Sequence, residues 1–180
     1  MSPAVKIAID RRIAELTPRE RSRLLDRRPS DEPDVRERVK AILGRVRSDG
    51  DAALRDMARE LDGVELEALE VPREAWDRAL EALDPELRQD LEIAGANIAT
   101  FHRAQIPEDV QVTVRPGVTL GRRAVPLPIV GVYAPGGRAA YPSSVLMGVV
   151  PAVAAGVDEI VVCSPPGPTG LPPDTVLAAC

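Results

Sequence analysis

Residues 129–163 read IVGVYAPGGRAAYPSSVLMGVVPAVAAGVDEIVVC, and this stretch decides the fold. Ile129 to Tyr133 is a compact apolar run of the kind found in a buried strand, and it leads into the loop Ala134-Pro135-Gly136-Gly137. Glu159 to Cys163 is a second run of the same kind. A strand, a glycine loop, a helix and a strand make one βαβ unit, which predicts a parallel sheet with a right-handed crossover.

The segment between the two predicted strands is an apolar helix with recognisable ends. Ser143 or Ser144 can cap its start, because a serine hydroxyl accepts a hydrogen bond from an amide of the first turn. The apolar pattern runs to about Ala155, and Gly156 ends the helix.

The residues after the second strand predict another helix. A proline-rich loop, Pro165 to Pro173, follows Cys163, and Asp174 begins an apolar helix in which the sequence stops at Cys180. Because a parallel sheet is normally covered on both faces and has more than two strands, we expect a truncated chain. The alternative is a small complete domain whose last helix covers the sheet.

The residues before the βαβ unit divide into a helical region and a hairpin. Val110, Val112 and Val114 alternate with polar residues before a Pro116-Gly117 turn, which predicts a β-hairpin. Upstream, four apolar stripes with charged opposite faces predict four helices. The first two stripes consist of Val35, Val39, Ile42, Leu43 and Val46, and of Ala53, Leu54, Met57, Ala58 and Leu61. The last two consist of Ala75, Trp76, Ala79, Leu80 and Leu83, and of Leu87, Leu91, Ala94, Ile98 and Phe101.

Local sequence motifs also indicate where two of the helices begin. Thr17-Pro18-Arg19-Glu20 is a capping box with proline at the first helical position, and Asp84-Pro85 starts the last stripe. We therefore predict an α/β chain with a mainly helical N-terminal region, residues 1–104. Residues 105–180 are predicted to hold the hairpin and the start of a Rossmann-like parallel-sheet domain.

Composition excludes several classes of protein. The net charge is −5, whereas a nucleic-acid-binding protein normally presents a basic face. The N-terminus lacks the apolar core of a signal peptide, and the longest apolar stretch, Val145 to Val157, is too short to span a bilayer. The two cysteines, Cys163 and Cys180, form no CxxC pair, so we expect the protein to reside in the reducing cytosol.

Few residues carry recognisable chemistry. The glycine loop could bring backbone amides close to an anion or a nucleotide, although it matches neither GxGxxG nor Walker A, and a plain tight turn explains it equally well. Tyr133 and Tyr141 bracket this loop. His102 is the only histidine, so it cannot build a zinc site, and Cys163 is interpreted as an inert buried thiol.

Longer stretches carry a family resemblance. Residues 130–166, VGVYAPGGRAAYPSSVLMGVVPAVAAGVDEIVVCSPP, resemble the histidinol dehydrogenase segment built around a GVY-x-PGG-x-A-x-YPS-x-VLM core. The stretches SDGDAAL at 48–54, ANIATFHRAQ at 96–105 and RPGVTLGRRAVPL at 115–127 stand in the family's order. The resemblance covers most of the chain from about Val35 onward, with departures at Ala134 and Gly148.

The resemblance implies a cytoplasmic, homodimeric enzyme with Rossmann-like domains. Such enzymes oxidise L-histidinol to L-histidine through histidinaldehyde in two NAD-dependent steps, with a bound zinc ion and a glutamate–histidine pair. Tyr133 matches the tyrosine that contacts NAD. The resemblance places the zinc ligands and the catalytic pair beyond Cys180, so we predict no catalytic and no metal-binding residue in this chain and no turnover by it alone. The alternative is a non-catalytic binding or assembly module derived from the same family.

Overall fold

The protein is described from a computed structural model, which places residues 10–25, 33–136 and 139–180. The chain divides into two compact units, one up to Ser48 and one of Asp49–Cys180. Within the described ranges, no helix is both long and apolar enough to cross a membrane.

The first unit is helical. A short 3-10 helix covers Ile13–Glu15, and two α-helices follow, α1 (Pro18–Leu25) and α2 (Pro33–Asp49). The predicted capping box forms: the Glu20 amide donates to Thr17 Oγ1 at 3.3 Å, and the Thr17 amide donates to Glu20 Oε2 at 3.0 Å. These bonds satisfy amides that a helix start would otherwise leave unpaired.

The second unit begins with three helices. They are α3 (Asp51–Met57), which continues into a π-helical turn at Ala58–Asp62, then α4 (Arg73–Ala82) and α5 (Pro85–Arg103). Gly50 separates α2 from α3 with φ of 56°, a left-handed conformation that favours glycine. Asp84 caps α5 as predicted, since its Oδ1 accepts hydrogen bonds from the Glu86 and Leu87 amides.

A β-hairpin follows the helices, as predicted. Strands β1 (Val110–Arg115) and β2 (Val118–Arg122) pair antiparallel around Pro116-Gly117, with a register shift near Val114. Asp109 closes the base of the hairpin, because its Oδ1 accepts a hydrogen bond from the Ala124 amide at 2.9 Å. The hairpin is exposed on both faces apart from Val118, which is half-buried.

The βαβ unit is confirmed. Strands β3 (Ile129–Tyr133) and β4 (Glu159–Cys163) pair in parallel from Ile129–Glu159 to Tyr133–Cys163, and α6 (Pro142–Ala154) connects them. The prediction of two buried strands is wrong for one face of this sheet: alternate residues are exposed, including Ile129 and Val161. The reason is that α6 packs on one face only, over Val130, Val132 and their neighbours in β4.

Helix α6 has two specific contacts that fix its position. It ends in a Schellman motif, in which the Gly156 amide donates to Val153 O and the Val157 amide donates to Ala152 O. At Gly148 the helix lies so close to β3 that a Cβ there would stand 2.4 Å from Val132 Cγ1. The absence of a side chain at residue 148 therefore sets the distance between α6 and the sheet.

Helix α7 (Asp174–Ala178) joins two apolar clusters of the second unit. Its Val176 packs with Ala134 and Val145, whereas its Leu177 packs with Ala75 and Ala79 of α4. All six are buried. This short helix is therefore the structural link between the βαβ unit and α4.

Candidate nucleotide-binding edge

The carboxyl ends of β3 and β4 meet at one edge of the parallel sheet. Tyr133 and Cys163 are register partners at these ends, and the next amide, that of Ala134, donates to Cys163 O at 2.8 Å. The first loop residue after β3 is thus held by the sheet hydrogen bonding, and Ala134 itself is fully buried. Ligands of open α/β sheets bind beyond this edge, in the crevice outside the carboxyl ends of the strands.

Tyr133 is the residue that the sequence analysis assigns to cofactor binding. Its side chain is 67% exposed and lies on the uncovered face of the sheet, the same face as Cys163. An exposed tyrosine ring in this place offers a flat surface for stacking and a hydroxyl for hydrogen bonding. The prediction that Cys163 is buried is wrong: Cys163 is exposed, because no described element covers that face.

The loop after β3 lies against the segment after β4. We call residues 134–136 the glycine loop; Gly137, which the sequence analysis includes in it, lies outside the described residues. A Cβ on Gly136 would stand 3.3 Å from Pro165 Cδ and 3.5 Å from Ser164 Oγ. Glycine therefore allows the backbone here to approach the Ser164-Pro165 turn closely.

Ser164 has an unusual hydrogen-bonding state. Its Oγ is buried, with less than 1 Å² of accessible surface, and has no partner among the described residues. Buried polar groups are nearly always paired, so an unpaired one at the edge where ligands bind marks a candidate functional residue. The sequence analysis did not single it out; the available signal was a small polar residue directly after a strand that ends at this edge.

The start of α6 lies at the same edge, since it follows the glycine loop. The helix begins at Pro142 with Tyr141 as the N-cap residue, and no side chain caps it. The prediction that Ser143 or Ser144 caps this helix is therefore wrong. Proline has no amide hydrogen and a fixed φ, so Pro142 suits the first helical position and moves the start ahead of both serines.

The other candidate residues are not brought to this edge. His102 stands in the last turn of α5, where it lines an apolar cleft of about 330 Å³ together with Ile106, Val125 and Pro151. Cys180 donates a hydrogen bond to Val176 O, and burial raises the pKa of its thiol. In the part of the chain that the structure describes, no three His, Cys, Asp or Glu side chains form a group that could hold a metal ion.

The chain is similar in sequence and in fold to histidinol dehydrogenases. The family model described as histidinol dehydrogenase matches residues 25–180. The chain is 52% identical to the histidinol dehydrogenase of Natronomonas pharaonis and 45% identical to that of Methanosarcina mazei, over 93% and 96% of its length. It spans 39% and 40% of the length of those two relatives.

A solved structure gives the same result. The crystal structure of histidinol dehydrogenase from Elizabethkingia anophelis superimposes with a TM-score of 0.78 at 29% sequence identity, covering 91% of this chain and 38% of that one. The similarity thus extends over nearly the whole chain in both sequence and fold. The chain belongs to the histidinol dehydrogenase family.

Proposed function

We propose that these 180 residues form the cofactor-side part of an NAD-dependent enzyme that oxidises L-histidinol to L-histidine through histidinaldehyde. Membership of the family supports the reaction, and the position of Tyr133 supports the assignment of NAD to this part of the chain. The enzyme is proposed to act in the cytoplasm as a homodimer on a small-molecule substrate, with no nucleic-acid partner.

The observation that carries the NAD assignment is the arrangement at the edge of the parallel sheet. Tyr133 is exposed at the carboxyl end of β3, the backbone at Gly136 is free of a side chain, and Ser164 Oγ is buried without a partner. These features fit a dinucleotide site: an aromatic surface, a place where a backbone can approach closely, and a buried hydroxyl beside the loop that still lacks a partner. Bound NAD would supply the acceptor for hydride.

The residues of this chain have a limited part in that chemistry. Tyr133 would bind and orient the cofactor through its exposed ring and hydroxyl, whereas the glycine loop would bring backbone groups close to it. The amides at the start of α6 favour a negatively charged group such as a phosphate. All of these are binding contacts, and we assign the proton transfers of the reaction to none of the described side chains.

Zinc is proposed as the second cofactor of the enzyme, but the residues of this chain do not fit its site. A zinc ion in proteins is held by three or four His, Cys, Asp or Glu side chains. The sequence has one histidine, and it lines an apolar cleft at the end of α5. Among the described residues no three such side chains form a group that could hold a metal ion, so we assign no zinc ligand to them and derive no step through the metal.

It follows that the 180-residue polypeptide should not oxidise histidinol by itself. The purified polypeptide is incubated with histidinol, NAD and zinc, and NADH is measured; we expect no formation above a metal-free control. The full-length relative from Methanosarcina mazei serves as the positive control. Zinc-dependent production of NADH by the 180 residues would overturn this expectation.

Binding of NAD can be tested separately through the two cysteines. Cys163 is exposed beside Tyr133, whereas the thiol pKa of Cys180 is raised, which makes Cys180 a slower-reacting internal control. We expect NAD to slow alkylation of Cys163 but not that of Cys180. In Tyr133→Ala the protection should be lost, and Tyr133→Phe, which keeps the ring, should retain most of it. Equal alkylation of Cys163 with and without NAD would contradict the assignment.

A further inference from the structure

We propose that Ser164 is a positioning residue of the cofactor site. Its hydroxyl pairs with the backbone of the glycine loop when NAD binds, and in this way links the position of the loop to the affinity for the nucleotide. The inference rests on the proposed binding of NAD at the carboxyl edge of β3 and β4.

The buried state of the Ser164 hydroxyl is the first reason for this role. Ser164 directly follows β4, and its Oγ is shielded from solvent and lacks a partner among the described residues. Solvent cannot satisfy a group with less than 1 Å² of accessible surface, so it carries the full cost of lost hydration. A movement of the loop on binding of NAD that gives this oxygen a partner would therefore recover part of that cost.

The surroundings of this hydroxyl are the second reason. A Cβ on Gly136 would stand 3.5 Å from Ser164 Oγ, so the oxygen lies in contact distance of the place where a side chain would be. Because Gly136 has no side chain, the polar groups that the loop offers at this position are those of its backbone. The root of the loop is fixed, because the Ala134 amide is bonded to Cys163 O, and the adjustment is therefore confined to the residues after it.

The burial of the hydroxyl also separates this role from direct contact with the cofactor. A ligand atom cannot reach an oxygen that a water-sized sphere cannot reach, whereas the place where a Gly136 side chain would stand is only 3.5 Å from it. Ser164 therefore acts through the loop, and Tyr133 remains the residue that contacts NAD.

This role predicts opposite effects on stability and on binding. Removal of an unpaired buried hydroxyl relieves a cost in the protein without NAD, so Ser164→Ala should melt at the same or a higher temperature. The same variant lacks the hydrogen bond that forms with NAD and should bind NAD roughly fivefold more weakly, the equivalent of one ordinary hydrogen bond. A serine that merely supported the fold would show a lowered melting temperature instead.

The test compares four forms of the full-length natural polypeptide by calorimetric titration with NAD and by thermal unfolding without it. They are the unaltered protein, Ser164→Ala, Ser164→Thr and Thr175→Val. Ser164→Thr keeps the hydroxyl and should restore affinity. Thr175 Oγ1 on α7 is likewise buried and unpaired, so Thr175→Val is the matched control: it should stabilise the protein and leave NAD affinity unchanged.

The outcomes are distinguishable. Unchanged NAD affinity in Ser164→Ala, or weaker binding together with a clearly lowered melting temperature, would overturn the role of Ser164 and leave NAD binding intact. Failure of the unaltered protein to bind NAD would overturn the proposed function itself, and the role of Ser164 with it.

Discussion

At the scale of single residues, Gly148 fixes how closely α6 approaches the sheet. A Cβ there would meet Val132 Cγ1 at 2.4 Å and Cγ2 at 3.1 Å, and a valine side chain cannot bend away. We expect Gly148→Ala to lower the free energy of unfolding by about 1–3 kcal/mol, the usual cost of overpacking. Urea unfolding of the purified protein measures it.

A matched glycine separates this clash from an effect of alanine itself. Gly95 lies in α5, and apart from its chain neighbours and the backbone of its own helix nothing stands within 4 Å of its would-be Cβ, so Gly95→Ala should stabilise the helix by up to about 1 kcal/mol. In the double variant with Val132→Ala, much of the loss caused by Gly148→Ala should be recovered. If Gly148→Ala proves as stable as Gly95→Ala, the close contact between α6 and β3 is not as described.

Sequence alone could predict some of the candidate site at this scale. Tyr133 ends an apolar run and matches a family motif, and it is exposed at the end of the strand; its contact with NAD stays a prediction. Ser164 could not be identified, because whether a hydroxyl has a partner depends on packing between distant segments. The burial of Cys163 was predicted wrongly for the same reason: strand pattern fixes which face a residue is on, but not whether that face is covered.

At the scale of elements, the capping box of α1 makes the stability of that helix depend on pH. The hydrogen bond from the Thr17 backbone amide is the main reason that the pKa of Glu20 lies below its ordinary value of 4.5. A carboxyl with a depressed pKa stabilises the folded form above its unfolded pKa, and that contribution is lost as the pH falls through the folded pKa. We expect the cap to hold at pH 5–7 and to weaken below pH 4.5.

Amide chemical shifts and hydrogen exchange at residues 17 and 20, followed from pH 7 to pH 2, measure this change. Glu20→Gln is the control, since glutamine keeps the capping geometry but does not titrate. Its amides should show no transition in this range. A transition in Glu20→Gln like that of the unaltered protein would rule out Glu20 as the titrating group.

Elements were predicted well where local signals determine them. The caps at Thr17 and Asp84, the breaks at Gly50 and Gly156 and the turn at Pro116-Gly117 all lie where the sequence places them. The start of α6 was predicted wrongly because two local signals occur there. Pro142 favours the first helical position, whereas the serines after it favour the N-cap position, and the helix begins at the proline. The π-helical turn after α3 has no short-range signal, and no pattern in the sequence predicts it.

At the scale of the whole molecule, the β3–β4 sheet has one packed face and one bare face. Ile129 and Val161 are 51% and 44% exposed, whereas Val162, next to Val161, packs against the buried cluster of α6 and α7. Exposed apolar sheet surface promotes association between molecules. We expect Val161→Thr in the 180-residue polypeptide to reduce self-association and to change the free energy of unfolding by no more than about 0.5 kcal/mol.

Val162→Thr is the matched change on the packed face. It places a hydroxyl in the apolar cluster and should lower the free energy of unfolding by about 1–3 kcal/mol without reducing self-association. Sedimentation velocity and urea unfolding measure the two quantities. Equal effects of the two variants would mean that the faces of the sheet do not differ as the structure indicates.

The fold class of the molecule followed from the order of its elements. Helices, then a hairpin, then a parallel βαβ unit were all predicted and are all present. What packs against what could not be derived, because the contact of α7 with α4 joins residues about a hundred positions apart. The predicted boundary between two regions near residue 104 stays a prediction. Helices α5 and α6, which lie on either side of it in the sequence, pack against each other.

The double contact of α7 has a consequence for how the chain is made. Ala75 and Ala79 leave the ribosome long before Leu177, their buried partner from α7. At roughly 5–20 residues per second, synthesis of the intervening chain takes about 5–20 s. During that interval the apolar face of α4 has no native partner from α7, and a chaperone that recognises apolar helices would meet the nascent chain there. Both apolar clusters can therefore form completely only after the five residues of α7 have been synthesised.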